Sequence, residues 1–205
     1  MRRAGPVADA RELVVLAHGL GRTPASMWWL ARSLRARGYR VLNWGYPSHT
    51  QPVAELGARM ARDVEAALGD APAVHFVGHS LGNVLIRWVL AHQPPERVGR
   101  VVMLAPPNRG ARRADLAARY VGWLLPPLAD LRTAADATVR ALAAPAGVEV
   151  GIIAGARDRT VRVAETHLDG AAGHVLVPGG HTFIMLRRDV RRLVHGFLAT
   201  GTFAT

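Results

Sequence analysis

Val74-His75-Phe76-Val77-Gly78-His79-Ser80-Leu81-Gly82 is the stretch on which the fold turns. Its opening residues suit a short buried strand, and the run Val84 to Leu90 beyond it is apolar at helical spacing. Between them lies Gly-x-Ser-x-Gly. A sharp turn from strand to helix at this point holds Ser80 in a strained backbone conformation with its hydroxyl exposed. Gly78 and Gly82 keep side chains out of the crossing between the two elements. The backbone N–H of Leu81 opens the helix, where unpaired donors and the helix dipole favour a developing negative charge.

Working outward from this turn, apolar runs alternate with amphipathic ones. Leu13 to Ala17 reads as a strand covered on both faces, ending in His18-Gly19-Leu20-Gly21. A helix is expected from about Pro24 to Ala36, with Thr23 as its cap, Pro24 in its first turn and Gly38 just beyond it. Strand Tyr39 to Trp44 and helix Pro52 to Leu68 follow, then the central strand, a helix to about Ala91, and strand Val98 to Leu104. Strands Val148 to Ala154 and His174 to Val177 and a closing helix Thr182 to Leu198 complete the pattern. Alternating strands and helices predict an α/β fold, a mostly parallel sheet of about six strands flanked by helices. The stretch 106–147 contains no clear strand and reads as a reduced cap insert over the carboxyl edge of the sheet.

At 205 residues the expectation is a single domain, residues 1–205, able to bury roughly 70% of its unfolded surface. Half of the residues are hydrophobic and 20% are charged, as in a globular chain. There is no cysteine, hence no disulfide, no thiolate nucleophile and no thiolate metal ligand. Met1 to Pro6 is basic but no apolar segment of signal-peptide length follows, and no run is long enough to span a bilayer. A cytoplasmic location is the expectation that follows. The formal charge is +11, and the chain has no Lys, so Arg supplies all the basic side chains. These fall on what read as solvated helix faces and are not interleaved with aromatics as in nucleic-acid modules. The alternative use is attraction to an anionic surface or an acidic substrate.

A serine hydroxyl is a weak nucleophile until a base takes its proton, and the base needs a third group to fix its tautomer. Asp158 lies just past the end of strand Val148 to Ala154, within reach of an imidazole on a neighbouring loop; Glu165 and Asp169 are the rival acids. Glu149 sits at the wrong end of that strand. Of nine histidines, His181 is the one on the loop between the last strand and the closing helix. His174 begins a strand, His195 lies inside a helix, and His18 and His79 read as loop-ordering or packing residues. The N–H groups of Leu20 and Leu81 are the candidate donors to an oxyanion. Tyr120, Trp123 and Leu124 in the insert are candidates for lining an acyl site or docking on lipid, or else simply cover the core.

In combination, His18-Gly19-Leu20-Gly21, Gly78-His79-Ser80-Leu81-Gly82, the Asp158 loop and the late His181 resemble the α/β-hydrolase superfamily. Within it the chain is similar to small bacterial lipase- and esterase-like serine hydrolases, and Leu104-Ala105-Pro106-Pro107-Asn108-Arg109-Gly110 is similar to the loop preceding the cap in lipase-like members. The resemblance implies a Ser80-Asp158-His181 triad, backbone donors at Leu20 and Leu81, a small-molecule or lipid ester as substrate, and no metal or cofactor. The chain is short for the superfamily, so the first antiparallel strands are expected to be missing.

Other classes fit less well. Gly19-Leu20-Gly21-Arg22-Thr23-Pro24 follows a strand as a dinucleotide loop would, but Pro24 stands in place of the third glycine and no ribose-binding acid ends the next strand. His167, His174 and His181 recur at seven-residue spacing without the pattern of a zinc site. An acyltransferase with the same triad, or a non-catalytic binding protein on the same scaffold, remain as alternatives. Association with a membrane surface stays open, and no nucleic-acid partner is expected.

Overall fold

The computed structural model describes residues 11–203. The expected lead-in, 1–11, lies outside the described residues except for residue 11. Six strands form one parallel sheet: β1 (Leu13–Ala17), β2 (Arg40–Trp44), β3 (Val74–His79), β4 (Val98–Leu104), β5 (Val150–Gly155) and β6 (Gly173–Val177). Their spatial order is β2-β1-β3-β4-β5-β6. Each pair is parallel, with Leu13 beside Val74 and Ala17 beside Gly78 at the centre. The order reverses between β1 and β3. Their carboxyl ends therefore flank a crevice, the position at which open α/β sheets bind ligands.

Alternation along the strands divides the core. Leu13, Val15, Phe76, Val101, Met103 and Ile152 face one layer, packed by α2 (Val53–Leu68) and α3 (Leu81–His92). Val14, Leu16, Val77, Val102, Leu104 and Ile153 face the other, packed by α1 (Trp28–Arg35) and α8 (Arg188–Thr200). Burial on both faces is what a continuous apolar strand such as Leu13 to Ala17 requires.

Two helices differ from expectation. The stretch from Pro24 divides into a 3₁₀ turn, Pro24–Met27, and α1. The closing helix begins at Arg188, not Thr182, after a 3₁₀ turn at Ile184–Leu186. Asp189 explains that start: it accepts the N–H of Val190 at 2.9 Å and pairs with Arg187 at 2.6 Å, stabilising the first turn.

The insert holds α4 (Arg112–Val121), α5 (Pro127–Asp130) and α6 (Thr138–Ala141), with α7 (Val163–Thr166) following β5. Pro126 and Pro127 separate α4 from α5 because neither can donate into a continuing helix. Buried Arg87 on α3 ties the insert down, donating to the carbonyls of Asn108 and Leu142. Burial lowers its pKa to about 10. No helix among the described residues is long and apolar enough to cross a membrane.

Candidate active site

Ser80 stands between β3 and α3 at φ 51° and ψ −118°, a conformation costly for a side chain with a Cβ. Its surroundings hold it there. The Ser80 N–H donates to Leu104 O at 3.0 Å, and Asn83 returns from α3 to donate to the same carbonyl at 3.0 Å. A Cβ at Gly78 would lie 2.3 Å from Asn83 Oδ1, and one at Gly82 would lie 2.3 Å from the carbonyl oxygen of Ala17. Both glycines permit contacts that another residue would block.

The loops after β5 and β6 meet beside this turn. Ala156 donates to Val177 O and Arg157 to Gly179 O, each at 2.9 Å. Gly155 makes the approach possible, since a Cβ there would lie 2.7 Å from Gly179 O. This docking sets Asp158 against His181. Asp158 Oδ2 accepts from His181 Nδ1 at 2.8 Å, while Oδ1 accepts from the N–H groups of Thr160 and Val161 at 2.8 and 2.9 Å. With the carboxylate accepting from Nδ1, Nε2 is left to face Ser80 Oγ, 2.9 Å away. The Asp158 side chain is 1% exposed and that of His181 is 12% exposed, so the line of three is shielded from water on the acid side.

The rival acids have other partners. Glu165 accepts the backbone N–H groups of Arg112 and Arg162, Asp169 pairs with Arg109, and Glu149 pairs with Arg100. Histidines 167 and 174 stack on each other at 4.4 Å, and no cluster of three or more His, Cys, Asp or Glu able to hold a metal occurs among the described residues.

The Gly19-Leu20-Gly21 loop lies across the serine from these. Gly19 packs on the turn so closely that a Cβ would lie 2.8 Å from His79 Nδ1. Gly21 N–H donates to Ser48 Oγ at 2.9 Å and Arg22 N–H to Gly19 O at 3.2 Å, which leaves the Leu20 N–H without a protein acceptor among the described residues. His18 is buried, stacked on Tyr46 at 4.2 Å, and Tyr46 donates its hydroxyl to His18 O. Burial lowers the pKa of His18 and raises that of Tyr46, so both stay neutral and order the loop.

Ser80 and His181 open on a cleft of about 310 Å³. Its apolar wall comes from Ala111, Ala114, Ala117, Leu128, Leu131 and Val161. Tyr120, Trp123 and Leu124 do not line it: they stand on the outer side of the insert, 79%, 83% and 57% exposed. The inward side of α4 is its alanine face, at 114 and 117, continued by Ala111 at the cap just before the helix, with the spacing of one helical face. That spacing was the available signal, and the larger residues obscured it.

The alpha/beta hydrolase family model matches residues 14–195. The chain belongs to the alpha/beta hydrolase family. Among solved structures, this hydrolase-family chain is similar to the mature lipase BlEst2 of Bacillus licheniformis, with a TM-score of 0.71 at 18% identity over 94% of this chain and 93% of that one. It is similar to a monoacylglycerol lipase of Paleococcus ferrophilus, TM-score 0.64 at 17% identity, over 93% and 95%. Lipase B of Aspergillus fumigatus gives a TM-score of 0.75 at 16% identity over 94% of this chain, which spans only 53% of that lipase. Likeness at such identities is likeness of fold. No curated protein sequence matches the chain.

Proposed function

We propose that this protein is a serine hydrolase that cleaves carboxylic esters through an acyl-enzyme on Ser80. The observation that carries the reading is the continuous hydrogen-bonded line from Ser80 Oγ through His181 to Asp158, at 2.9 and 2.8 Å, opening on a cleft with an apolar wall.

In the acylation step Ser80 Oγ attacks the ester carbonyl carbon while His181 Nε2 takes the hydroxyl proton. Asp158 holds the ring and stabilises the imidazolium that forms. The tetrahedral oxyanion accepts from the N–H groups of Leu20 and Leu81. Collapse expels the alcohol, which leaves with the proton from His181. A water molecule then gives a proton to Nε2 as its oxygen attacks the acyl carbon. The second tetrahedral intermediate collapses, the Ser80 Oγ–acyl bond breaks, and Oγ takes the proton back from His181 as the carboxylic acid leaves. Each step uses groups of the chain and water, so the scheme calls for no metal or cofactor.

The test is turnover of p-nitrophenyl esters of graded acyl length. Ser80→Ala and His181→Ala should each lower kcat on the order of 10³-fold or more while the proteins stay folded. Retained esterase activity in a folded Ser80→Ala protein would defeat the proposal.

A further inference from the structure

Beside the cleft runs a second depression, of about 510 Å³, whose walls carry Arg112, Arg113, Arg119, Arg159 and Arg162. Arg113 and Thr160 line both spaces, so the groove adjoins the cleft of Ser80 and His181 directly.

The five guanidinium groups have no hydrogen-bond, carboxylate or ring partner among the described residues. Elsewhere on the surface arginines do find acids, as in Arg40–Asp70, Arg100–Glu149 and Arg187–Asp189. The two acids of the groove are engaged by other donors. Glu165 accepts backbone N–H groups at 3.1 and 2.7 Å, and Asp115 accepts the N–H and hydroxyl of Thr133 at 2.8 and 2.7 Å. Five cations against two acids leave a concave surface with excess positive charge, which concentrates anions. Guanidinium groups match phosphate oxygens in both charge and geometry.

We propose that this groove binds a phosphate group on the alcohol part of the substrate. The substrate class is then an acyl ester of a phosphorylated alcohol, an assignment that rests on the ester-hydrolase reading above. Direction supports it. His181 must hand its proton to the departing alcohol, so the alcohol lies on the His181–Asp158 side. Arg159 and Thr160 directly follow Asp158 in that loop, and Asp158 itself accepts the Thr160 N–H at 2.8 Å. The acyl chain takes the apolar wall of Ala111, Ala114 and Leu131. Hydrolysis adds water across the acyl C–O bond and leaves the phosphate untouched.

The experiment compares 1-butyrylglycerol 3-phosphate with 1-butyrylglycerol, a soluble pair that differs only in the phosphate. In low salt kcat/KM for butyrate release should favour the phosphorylated ester by about tenfold or more. The ratio should fall towards one as salt rises, and in the double variant Arg113→Gln, Arg159→Gln. Both arginines are exposed, and fluorophosphonate titration of Ser80 counts intact sites in the variant. A ratio of one or below in the native protein overturns the proposal. Inorganic phosphate should compete with the phosphorylated ester; if it instead accelerates cleavage of 1-butyrylglycerol, the groove is an effector site and the substrate assignment fails. Calorimetry on Ser80→Ala adds a readout without turnover. Tighter binding of the phosphorylated ester supports the groove, and equal binding of both esters overturns it. Absence of both butyrate release and a Ser80 adduct would defeat the hydrolase reading separately.

Discussion

The side chain of His79 and the backbone of His181 are joined: His79 Nε2–H donates to the carbonyl oxygen of His181 at 3.0 Å. A carbonyl only accepts, so the proton of this ring is on Nε2. His79 thereby fixes the base loop to the turn that presents Ser80. It touches no reacting atom in the proposed chemistry and is a positioning residue. His79→Phe keeps the ring and removes the donor. The expected result is a fall in kcat on the order of tenfold, with KM little changed. His79→Gln, which restores an N–H donor, should recover part of the loss; steady-state kinetics on one short ester checks both.

Acid should destabilise the fold through the same residue. Burial first, and then the charge of His181, depress the pKa of His79 to about 3 from an unfolded value of 6.5. Between those values the unfolded chain binds the proton and the folded protein does not. Stability therefore falls as pH drops from 6.5 towards 3, with a slope from His79 approaching about 1.4 kcal/mol per pH unit. Burial lowers the pKa of His18 and His75 as well, which adds to the trend. Urea midpoints at pH 7, 5.5 and 4.5 should decline steadily, and less steeply in His79→Phe.

Two glycine-to-alanine changes should move stability in opposite directions. In Gly82→Ala the new methyl meets the backbone oxygens of Ala17 and His18, at 2.3 and 2.7 Å, and backbone yields poorly. A loss of about 3 kcal/mol or more is expected, because α3 must move away from β1. Gly196 lies within α8 with nothing within 4 Å of its added Cβ. Gly196→Ala should therefore gain about 0.5–1 kcal/mol through helix propensity. Denaturant titration of the two variants decides it.

Much of the fold was legible because a parallel sheet covered on both faces writes itself as apolar runs. Leu13–Ala17 and Val98–Leu104 begin and end where the sequence places them. The turn at Ser80 was legible because glycine spacing reports a steric demand, and the structure shows that demand at Gly78 and Gly82. Asp158 and His181 could be placed on adjacent loops because both follow strand ends.

What stayed hidden depends on contacts distant in sequence. Ile184, Met185 and Leu186 read as part of a helix but form a 3₁₀ turn, whose Ile184 and Met185 pack in the layer of α1 and α8. The lining of the cleft was missed because an open space needs small side chains. Ala111, Ala114 and Ala117 make the wall, while the conspicuous Tyr120 and Trp123 face outwards. The arginine groove brings together residues within 112–119 and 159–165, and no local window of sequence joins them.

The most direct test of the central claim is the mass of the intact protein after exposure to a fluorophosphonate, with the modified residue located by peptide mapping. The account predicts one adduct, on Ser80, formed quickly in the native protein, absent in Ser80→Ala, and slowed on the order of 10³-fold in His181→Ala. Folded native protein that acquires no adduct on Ser80, or labels equally fast without His181, would contradict it.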